Sequence, residues 1–324
     1  MFDVWFGALR HGYRFARMLQ ADVLEERGYR PAAQALRLEP VVACGYWRAL
    51  AVAADGRVVE WGRPPHQNQN TPHVRKPDQL PRDVLAVDAG AEHYLALTRD
   101  GRVVACGDNS VRQCNVPVGL PSVEAVAAGA YHSLAITPEG RVVAWGHNDY
   151  GQCDVPSDLP PVAAVAANYA YSFALTAEGD VVVWGAGRGL DAPPDLKAVA
   201  IAVSSRHALA VTPEGRVVAW GSNSHGQLDV PPDLLPVVAV AAGHSYSAAL
   251  TVTGDIVVWG RPFFPRNRLL GLKAVAVVAC GIPLLAVTPE GRVVIWGHSA
   301  DPRCAVPPGL KVRVTPSGMP AGNA

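Results

Sequence analysis

The sequence repeats one short pattern seven times. In each copy a glycine is followed five residues later by tryptophan, or once by cysteine, and then directly by a second glycine. The first glycines are Gly56, Gly101, Gly140, Gly179, Gly215, Gly254 and Gly291, and the residues five positions later are Trp61, Cys106, Trp145, Trp184, Trp220, Trp259 and Trp296. Successive copies are spaced by 36 to 45 residues. A period of this size predicts a repeat architecture in which each copy is one structural unit.

The third copy shows what one unit contains. Short apolar runs predict strands at 123–128, 132–137 and 141–145, followed by a short fourth strand at 152–155. Gly140 lies in the hairpin between the second and third strands, where glycine takes a positive φ without a Cβ clash. Because the strands are apolar on both faces, we expect both faces of each sheet to be covered.

These features distinguish among the repeat folds. A parallel β-helix buries one face only, and a helical solenoid needs a period of 3.6 within each copy. Small sheets stacked face to face around an axis satisfy the pattern. We therefore predict an all-β fold, a seven-bladed β-propeller of four-stranded antiparallel blades, over residues 40–315. Residues 29–39 and 311–315 can each supply the strand that closes the ring.

The two ends of the chain lack the repeat. Apolar residues at helical spacing predict a short N-terminal helical segment within residues 1–39, which packs on the propeller or helps to close it. Residues 316–324 are expected to form a flexible C-terminal tail. The first residues make a poor signal peptide because Asp3 replaces the usual basic region and Arg10 interrupts the apolar run.

Charge and composition narrow the classes of partner. The 28 basic residues balance the 28 acidic ones, so no broad field attracts nucleic acid or an anionic membrane. The sequence contains no run of 18 apolar residues, so it predicts no membrane span. Six cysteines in a chain of 324 residues do not form a disulfide framework, and Cys44 and Cys280 occupy similar places before a glycine. We expect a reduced, cytoplasmic setting and a monomer.

The best copies resemble a known repeat. Residues 129–133, GAYHS, and 145–152, WGHNDYGQ, are similar to the regulator of chromosome condensation repeat, which builds seven-bladed propellers. The short copies ending in VPxxLP are most similar to bacterial members of that family, among them a secreted β-lactamase inhibitory protein. The resemblance implies protein binding through loops. It also implies, as an alternative, guanine-nucleotide exchange or chromatin association.

Two repeated columns are interpreted as structural. The tryptophans are expected to be blade core residues whose indole N–H reaches a carbonyl of the neighbouring blade. His93, His132 and His207 recur at one position, but the repeat places them on different blades, too far apart to share one metal ion. Their polarity instead fits a hydrogen bond between blades. We predict no metal site and no cofactor.

Variable residues beside the histidine column identify the candidate site. The residues just before the histidine column, and those in the loop after Trp-Gly, are aromatic or charged in ways that a core position would not accept. We therefore predict that they lie on solvent-facing loop tips that share one face. Tyrosine, tryptophan and arginine are typical anchors of protein interfaces. The predicted partner-binding residues are Tyr46, Trp47, Glu92, Asp108, Tyr131, Asp149, Tyr150, Tyr169, Arg206, His225 and His244. Phe263 and Phe264 form either a packed loop or a further contact patch.

No catalytic motif is present in the sequence. GxSxG, HExxH and the phosphate-binding GxxxxGK[ST] are all missing, and most carboxylates lie in predicted turns. We therefore predict a non-enzymatic, rigid scaffold that presents variable loops to a protein partner, as an inhibitor or regulator of an enzyme. The alternatives left open are the exchange or chromatin function above and a glycan-binding propeller.

Overall fold

The computed structural model describes residues 41–46, 48–62, 80–187, 189–265, 269, 271–297 and 301–314. The predicted helical segment at 1–39 and the predicted tail at 316–324 lie outside this part of the chain. The described residues contain no helix that is long and apolar enough to cross a membrane.

The described residues form seven antiparallel sheets, and in each sheet three consecutive strands pair in sequence order. Blades 1 to 4 contain β1 (Val42–Cys44), β2 (Arg48–Val52) and β3 (Val58–Gly62); β4 (Val84–Ala89), β5 (His93–Thr98) and β6 (Val103–Gly107); β7 (Ala125–Ala128), β8 (His132–Ile136) and β9 (Val142–Gly146); and β10 (Val162–Ala167), β11 (Tyr171–Thr176) and β12 (Val181–Gly185). Blades 5 to 7 contain β13 (Ala200–Val203), β14 (His207–Val211) and β15 (Val217–Gly221); β16 (Val237–Ala242), β17 (Tyr246–Thr251) and β18 (Ile256–Gly260); and β19 (Ala276–Ala279), β20 (Leu284–Val287) and β21 (Val293–Trp296).

The prediction of four strands per blade is wrong for the described residues. The segment at 152–155 uses its backbone donors locally: the N–H of Asp154 donates to Gly151 O and the N–H of Val155 to Cys153 O, both at 3.0 Å. Pro156 follows and has no N–H to donate. The segment therefore forms turns instead of a fourth strand. In place of a fourth strand, the described residues form isolated β-bridges, such as the one between Asp180 and Lys197 in blade 4.

The core lies between the blades. The middle strand of each blade is buried along nearly its whole length, whereas the first and third strands of several blades, such as β13 and β15 of blade 5, are only partly covered. Each hydrophobic cluster joins neighbouring blades; one of them, for example, packs Leu134 of blade 3 against Ala174 and Trp184 of blade 4. The prediction that both faces are covered is confirmed for the middle strands, where alanine and valine permit close stacking.

The hairpin glycines connect each blade to the next. All seven have φ between 75° and 88°, as the turn prediction requires. The carbonyl of Gly140 also accepts a hydrogen bond of 2.9 Å from the N–H of Val162, where the chain enters blade 4. The same bond recurs after Gly101, Gly179, Gly215, Gly254 and Gly291. These bonds hold the side of the ring opposite the Trp-Gly loops.

The tryptophan and histidine columns of the repeat interlock neighbouring blades at the other side. The carbonyl of Gln113, in the loop that leaves blade 2, accepts hydrogen bonds of 2.9 Å from both Trp145 Nε1 and Ser133 Oγ of blade 3. Ser133 Oγ in turn accepts from His93 Nε2 of blade 2 at 3.0 Å. The same four-residue arrangement recurs in His132, Gln152, Ser172 and Trp184, and in His207, Gln227, Ser247 and Trp259. The structural interpretation of both columns is confirmed.

The C-terminal segment closes the ring. The N–H of Val312 donates to Gly291 O of blade 7, and Lys311 O accepts from the N–H of Ala54 of blade 1, both at 2.9 Å. Val312 also bridges Ala53 in antiparallel fashion. Of the two candidates for closure, residues 311–312 therefore serve this role, while 29–39 lie outside the described residues.

A disulfide joins blades 1 and 7 at the same seam. Cys44 and Cys280 are bonded, with their Cα atoms 5.0 Å apart. The Arg303 guanidinium donates to Gly45 O at 3.1 Å and to Cys280 O at 2.9 Å, and the carbonyl of Arg303 accepts from Trp61 Nε1 at 2.8 Å. The sequence analysis did not predict this bond, because the two cysteines occupy the same repeat position and become neighbours only when the ring closes.

Loss of the disulfide is expected to lower stability. Replacing Cys44 and Cys280 by alanine together should reduce the free energy of unfolding by about 2–4 kcal/mol, since the bond constrains the unfolded chain. Denaturant titration with and without reductant measures this change. Reductant should shift the wild-type midpoint and leave the double variant unchanged; an unmoved wild-type midpoint contradicts the prediction.

The histidine column is expected to control acid stability. Burial lowers the pKa of His93, His132 and His207 to about 4 from the ordinary 6.5, so the fold favours the neutral rings. Their contribution is fully present above pH 6.5 and is lost as the pH falls toward 4. Below pH 4, the charge on one such buried histidine costs the fold roughly 3 kcal/mol relative to neutral pH.

The variant His207→Gln tests this contribution, because it removes one titrating ring from the column. The difference between its free energy of unfolding and that of the wild type should depend on pH between 6.5 and 4. Asp88, whose pKa burial raises to about 6, contributes with the opposite sign, but it is common to both proteins and cancels. A difference that stays constant over this interval would show that His207 is not buried as a neutral ring.

Candidate functional site

The variable loops share one face of the ring. His132 at the start of β8 pairs with Gly146 at the end of β9, so the loop before His132 and the loop after Gly146 leave the same end of the blade. The N–H of His147 donates to Tyr131 O at 2.9 Å and ties the two loops together. Equivalent bonds occur in blades 2, 4, 5 and 6. We call this end of the propeller the loop face.

The first loops of neighbouring blades are bonded to one another. The N–H of Ala130 donates to Asn168 O at 2.9 Å, and the N–H of Ala91 donates to Ala130 O at 3.2 Å. Gly129 permits this approach, because a Cβ at that position would lie 2.7 Å from Asn168 O. The loops of blades 2, 3 and 4 therefore form a continuous backbone layer with little freedom to move.

The second loop of blade 3 is held by its own side chains. Asn148 Nδ2 donates to Asp154 Oδ1 and Asn148 Oδ1 accepts from the N–H of Cys153, both at 2.7 Å. The N–H of Tyr150 donates to Gln152 Oε1 at 3.0 Å. The same bonds are made in the loops at 108–115 and 222–229. The loop tips are fixed before any partner arrives.

Four aromatic rings from blades 3 and 4 meet on the loop face. Tyr131, His147, Tyr150 and Tyr169 form a closed set in which adjacent ring centroids lie 5.7 to 6.4 Å apart. Tyr150 and Tyr169 remain 45% and 49% exposed. We call these four residues the tyrosine cluster.

The sequence analysis missed His147 as a site residue. Gln152 Nε2 donates to His147 Nδ1 at 2.8 Å, and His147 Nε2 donates to Asp149 Oδ2 at 3.1 Å, so the ring is oriented on both sides. The signal was available, because His147 directly follows Trp-Gly, in the same column as the predicted residue Asp108.

Acidic residues act on one side of the cluster. Burial raises the pKa of Tyr131, and Tyr169, Glu92, Asp108 and Tyr46 raise it further. Tyr46 is 65% exposed, on the blade 1 loop of the same face. The predicted residues Tyr46, Glu92 and Asp108 therefore lie on the same face as the tyrosine cluster.

A second group lies across the face on blades 5 and 6. The pKa of His244 is lowered by partial burial and by the electrostatic effect of Arg206 and His225. The predicted site thus divides into an acidic, tyrosine-rich part and a basic part. Trp47 lies outside the described residues, and the role of each residue in binding stays a prediction.

Of the Phe263-Phe264 pair, one ring is packed in the protein and the other is exposed. Phe264 is buried and packs its ring against Tyr246, with centroids 5.6 Å apart, whereas Phe263 is 49% exposed. Only Phe263 is available for contact.

Two free thiols in the second loops are held in their protonated form by burial. Burial raises the pKa of Cys114 to about 12 and of Cys153 to about 11, so neither thiol is an activated nucleophile. The buried histidines donate to serines that stabilise the fold. Within the described ranges, no group of three or more His, Cys, Asp or Glu side chains is placed to hold a metal ion.

Comparison with protein families identifies the repeat. Residues 84–113, 123–152 and 198–227 match the model of the Regulator of chromosome condensation (RCC1) repeat. Blades 2, 3 and 5 are therefore similar to the RCC1 repeat. Each match ends at Gln113, Gln152 or Gln227. The carbonyl of each of these glutamines accepts a hydrogen bond from the indole N–H of the tryptophan in the next blade. The RCC1 repeat thus includes the residues that interlock the blades.

Curated relatives match over a short part of the chain. The human E3 ubiquitin-protein ligase HERC2 is 38% identical over 80 residues, which cover 22% of this chain and 2% of HERC2. The human probable E3 ubiquitin-protein ligase HERC3 is 35% identical over 82 residues, which cover 22% of this chain and 8% of HERC3. The chain thus spans a small fraction of the length of these relatives.

Solved structures match over most of the chain. The CRINKLY WD40 ectodomain of the Arabidopsis thaliana receptor kinase ACR4 has a TM-score of 0.63 at 21% identity, covering 82% of this chain and 98% of its own. The Physcomitrella patens receptor kinase CR4 ectodomain has a TM-score of 0.64 at 22% identity, covering 79% and 72%. Yeast RCC1 (Prp20) bound to Kap60 has a TM-score of 0.60 at 21% identity, covering 73% and 75%. At these identities the likeness shows the fold alone, an RCC1-like propeller.

Proposed function

We propose that this chain is a non-enzymatic binding protein that docks a protein partner on its loop face, with the tyrosine cluster as the anchor. The observation that supports this is the half-exposed pair Tyr150 and Tyr169 on loops that the blades hold rigid. Tyrosines of this kind supply most of the binding free energy in many interfaces.

The mechanism is preorganisation. Ordering a loop on binding costs about 0.5–1.5 kcal/mol for each immobilised side chain. Asn148 and Gln152 already fix the blade 3 loop, and the Ala130–Asn168 bond fixes the loop beside it. Little of that cost remains when a partner docks, so a modest apolar contact suffices for specific binding.

The finer form of the proposal is inhibition or regulation of an enzyme whose surface the loop face covers, as the resemblance to short-repeat bacterial propellers implies. Guanine-nucleotide exchange or chromatin association is the alternative. Yeast Prp20 was solved bound to Kap60 and was studied for its binding to Gsp1p and histones. The balanced charge of this chain disfavours the chromatin form. Glycan binding stays a further alternative.

The monomeric state and the cytoplasmic setting also stay predictions. The Cys44–Cys280 disulfide is a physical argument for an oxidising compartment, because disulfides persist there and are rare in the cytosol.

Capture of a partner by the immobilised chain tests the proposal. The triple variant Tyr131→Ala, Tyr150→Ala and Tyr169→Ala should bind the partner at least about tenfold more weakly, which corresponds to about 1.4 kcal/mol. The affinity is measured by surface plasmon resonance once the captured protein is identified. The variant Val118→Ser changes a fully exposed apolar residue outside the cluster and should bind as the wild type does. Equal affinity of the triple variant would refute the proposal.

A matched pair of variants separates loop order from stability. Asn148→Ala and Asn223→Ala remove the same two hydrogen bonds from equivalent loops, so both should lose about 1–2 kcal/mol of stability. Only the first loop carries residues of the tyrosine cluster. We expect Asn148→Ala alone to weaken partner binding, by calorimetry or plasmon resonance. Equal weakening by both variants would assign the effect to global stability.

A further inference from the structure

We infer that the tyrosine cluster, with the carboxylates beside it, is a binding site for a cationic side chain, the lysine or arginine of a protein partner. This inference rests on the proposed protein-binding function and names the chemistry of the residue that the partner inserts. It follows from the arrangement of the rings, the placement of the acidic groups and the character of the rest of the loop face.

The spacing of the four rings fits a cation within reach of each of them. The centroids of Tyr131, His147, Tyr150 and Tyr169 form a closed four-sided figure with sides of 5.7 to 6.4 Å. A cation at the middle of such a figure lies within the reach of about 6 Å over which an aromatic face attracts it. The interplanar angles of 50° to 83° show that the rings tilt against each other and do not stack into one flat layer.

The acidic groups beside the rings keep their charge available. Asp108 accepts from Ser110 Oγ at 2.6 Å and from Gln113 Nε2 at 2.8 Å, and both donors are neutral. Glu92 lies 4.0 Å from Arg48, which makes its shorter contact of 2.8 Å with Glu60. The negative charges of these two carboxylates act on the cluster at Tyr131, whose pKa they raise.

Asp149 adds a third carboxylate on the blade 3 side. It accepts from His147 Nε2, and its side chain is 83% exposed. Aromatic faces with adjacent carboxylates attract lysine and arginine, whereas an apolar residue gains nothing from the carboxylates.

The other half of the face has the opposite character. Arg206, His225 and His244 cluster on blades 5 and 6. The positive charge of Arg206 repels a cation approaching that part of the loop face, whereas the carboxylates of blades 2 and 3 attract it. The face therefore selects both the residue and the orientation of the partner, which presents its cation to the tyrosine cluster and acidic groups to the other side.

Nuclear magnetic resonance of the full chain tests this site with three small probes: N-acetyl-arginine amide, N-acetyl-lysine amide and the neutral N-acetyl-norleucine amide. With ring-labelled tyrosine, the two cations should shift the signals of Tyr131, Tyr150 and Tyr169 with millimolar affinity, and the norleucine probe should not. The affinity for the cations should fall with added salt, because the carboxylates contribute through exposed charge. Equal shifts from all three probes, or none, overturn the inference.

Variants exclude a general effect on folding. Tyr150→Leu with Tyr169→Leu should abolish binding of the arginine probe, whereas Tyr150→Phe with Tyr169→Phe should retain it, because phenyl faces also attract cations. Glu92→Gln with Asp108→Asn should weaken binding by about three- to tenfold. The matched control Phe263→Leu removes an exposed aromatic residue from another loop and should leave the affinity unchanged. Retained binding in the leucine pair overturns the inference.

The outcome also separates this inference from the proposed function. If the cations do not bind but the triple tyrosine variant still loses the protein partner, the cluster is an apolar anchor, and only the inference fails. If the triple variant keeps the partner, the proposed function fails, whatever the probes do.

Discussion

The hydrogen bond from a tryptophan indole to the carbonyl of the preceding blade is the interaction on which the structure depends. Trp145 reaches Gln113 O and Trp184 reaches Gln152 O, so each of these blades completes the loop of the one before it. The same carbonyl accepts from a serine that a buried histidine orients. At the three junctions built in this way, burying these polar groups is favourable only when all are paired. The junction therefore defines both the spacing of the blades and the position of the loops above them.

That constraint explains which features the sequence could predict. Seven copies of glycine and tryptophan at one spacing predict seven units, and the apolar strands predict stacked sheets. The structural role of His93 and its equivalents followed from their distribution over separate blades. The features that the sequence did not predict correctly depend on local hydrogen bonds or on ring closure. The turns at 152–155 use their own hydrogen bonds, which propensity does not reveal. Cys44 and Cys280 are 236 residues apart, and only a closed ring makes them neighbours.

The candidate site was predictable in part for the same reason. Variation among repeats indicated which loop positions face solvent, and the structure places Tyr131, Tyr150 and Tyr169 together on one face. The pattern could not show that these rings close into a set with His147, because that depends on the angle between adjacent blades. Nor could it show that acidic and basic residues segregate across the face. A rigid repeat thus carries a surface whose chemistry differs from blade to blade.

The closure by residues 311–312 has a consequence for the nascent chain. Blade 1 is synthesised before the other six blades, yet its neighbour at the seam, the backbone of Lys311 and Val312, is synthesised after blade 7. Until then the apolar side of blade 1 lacks the contact with blade 7, and the bond between Cys44 and Cys280 cannot form before Cys280 is made. The first blade to be synthesised therefore waits longest for its native neighbours.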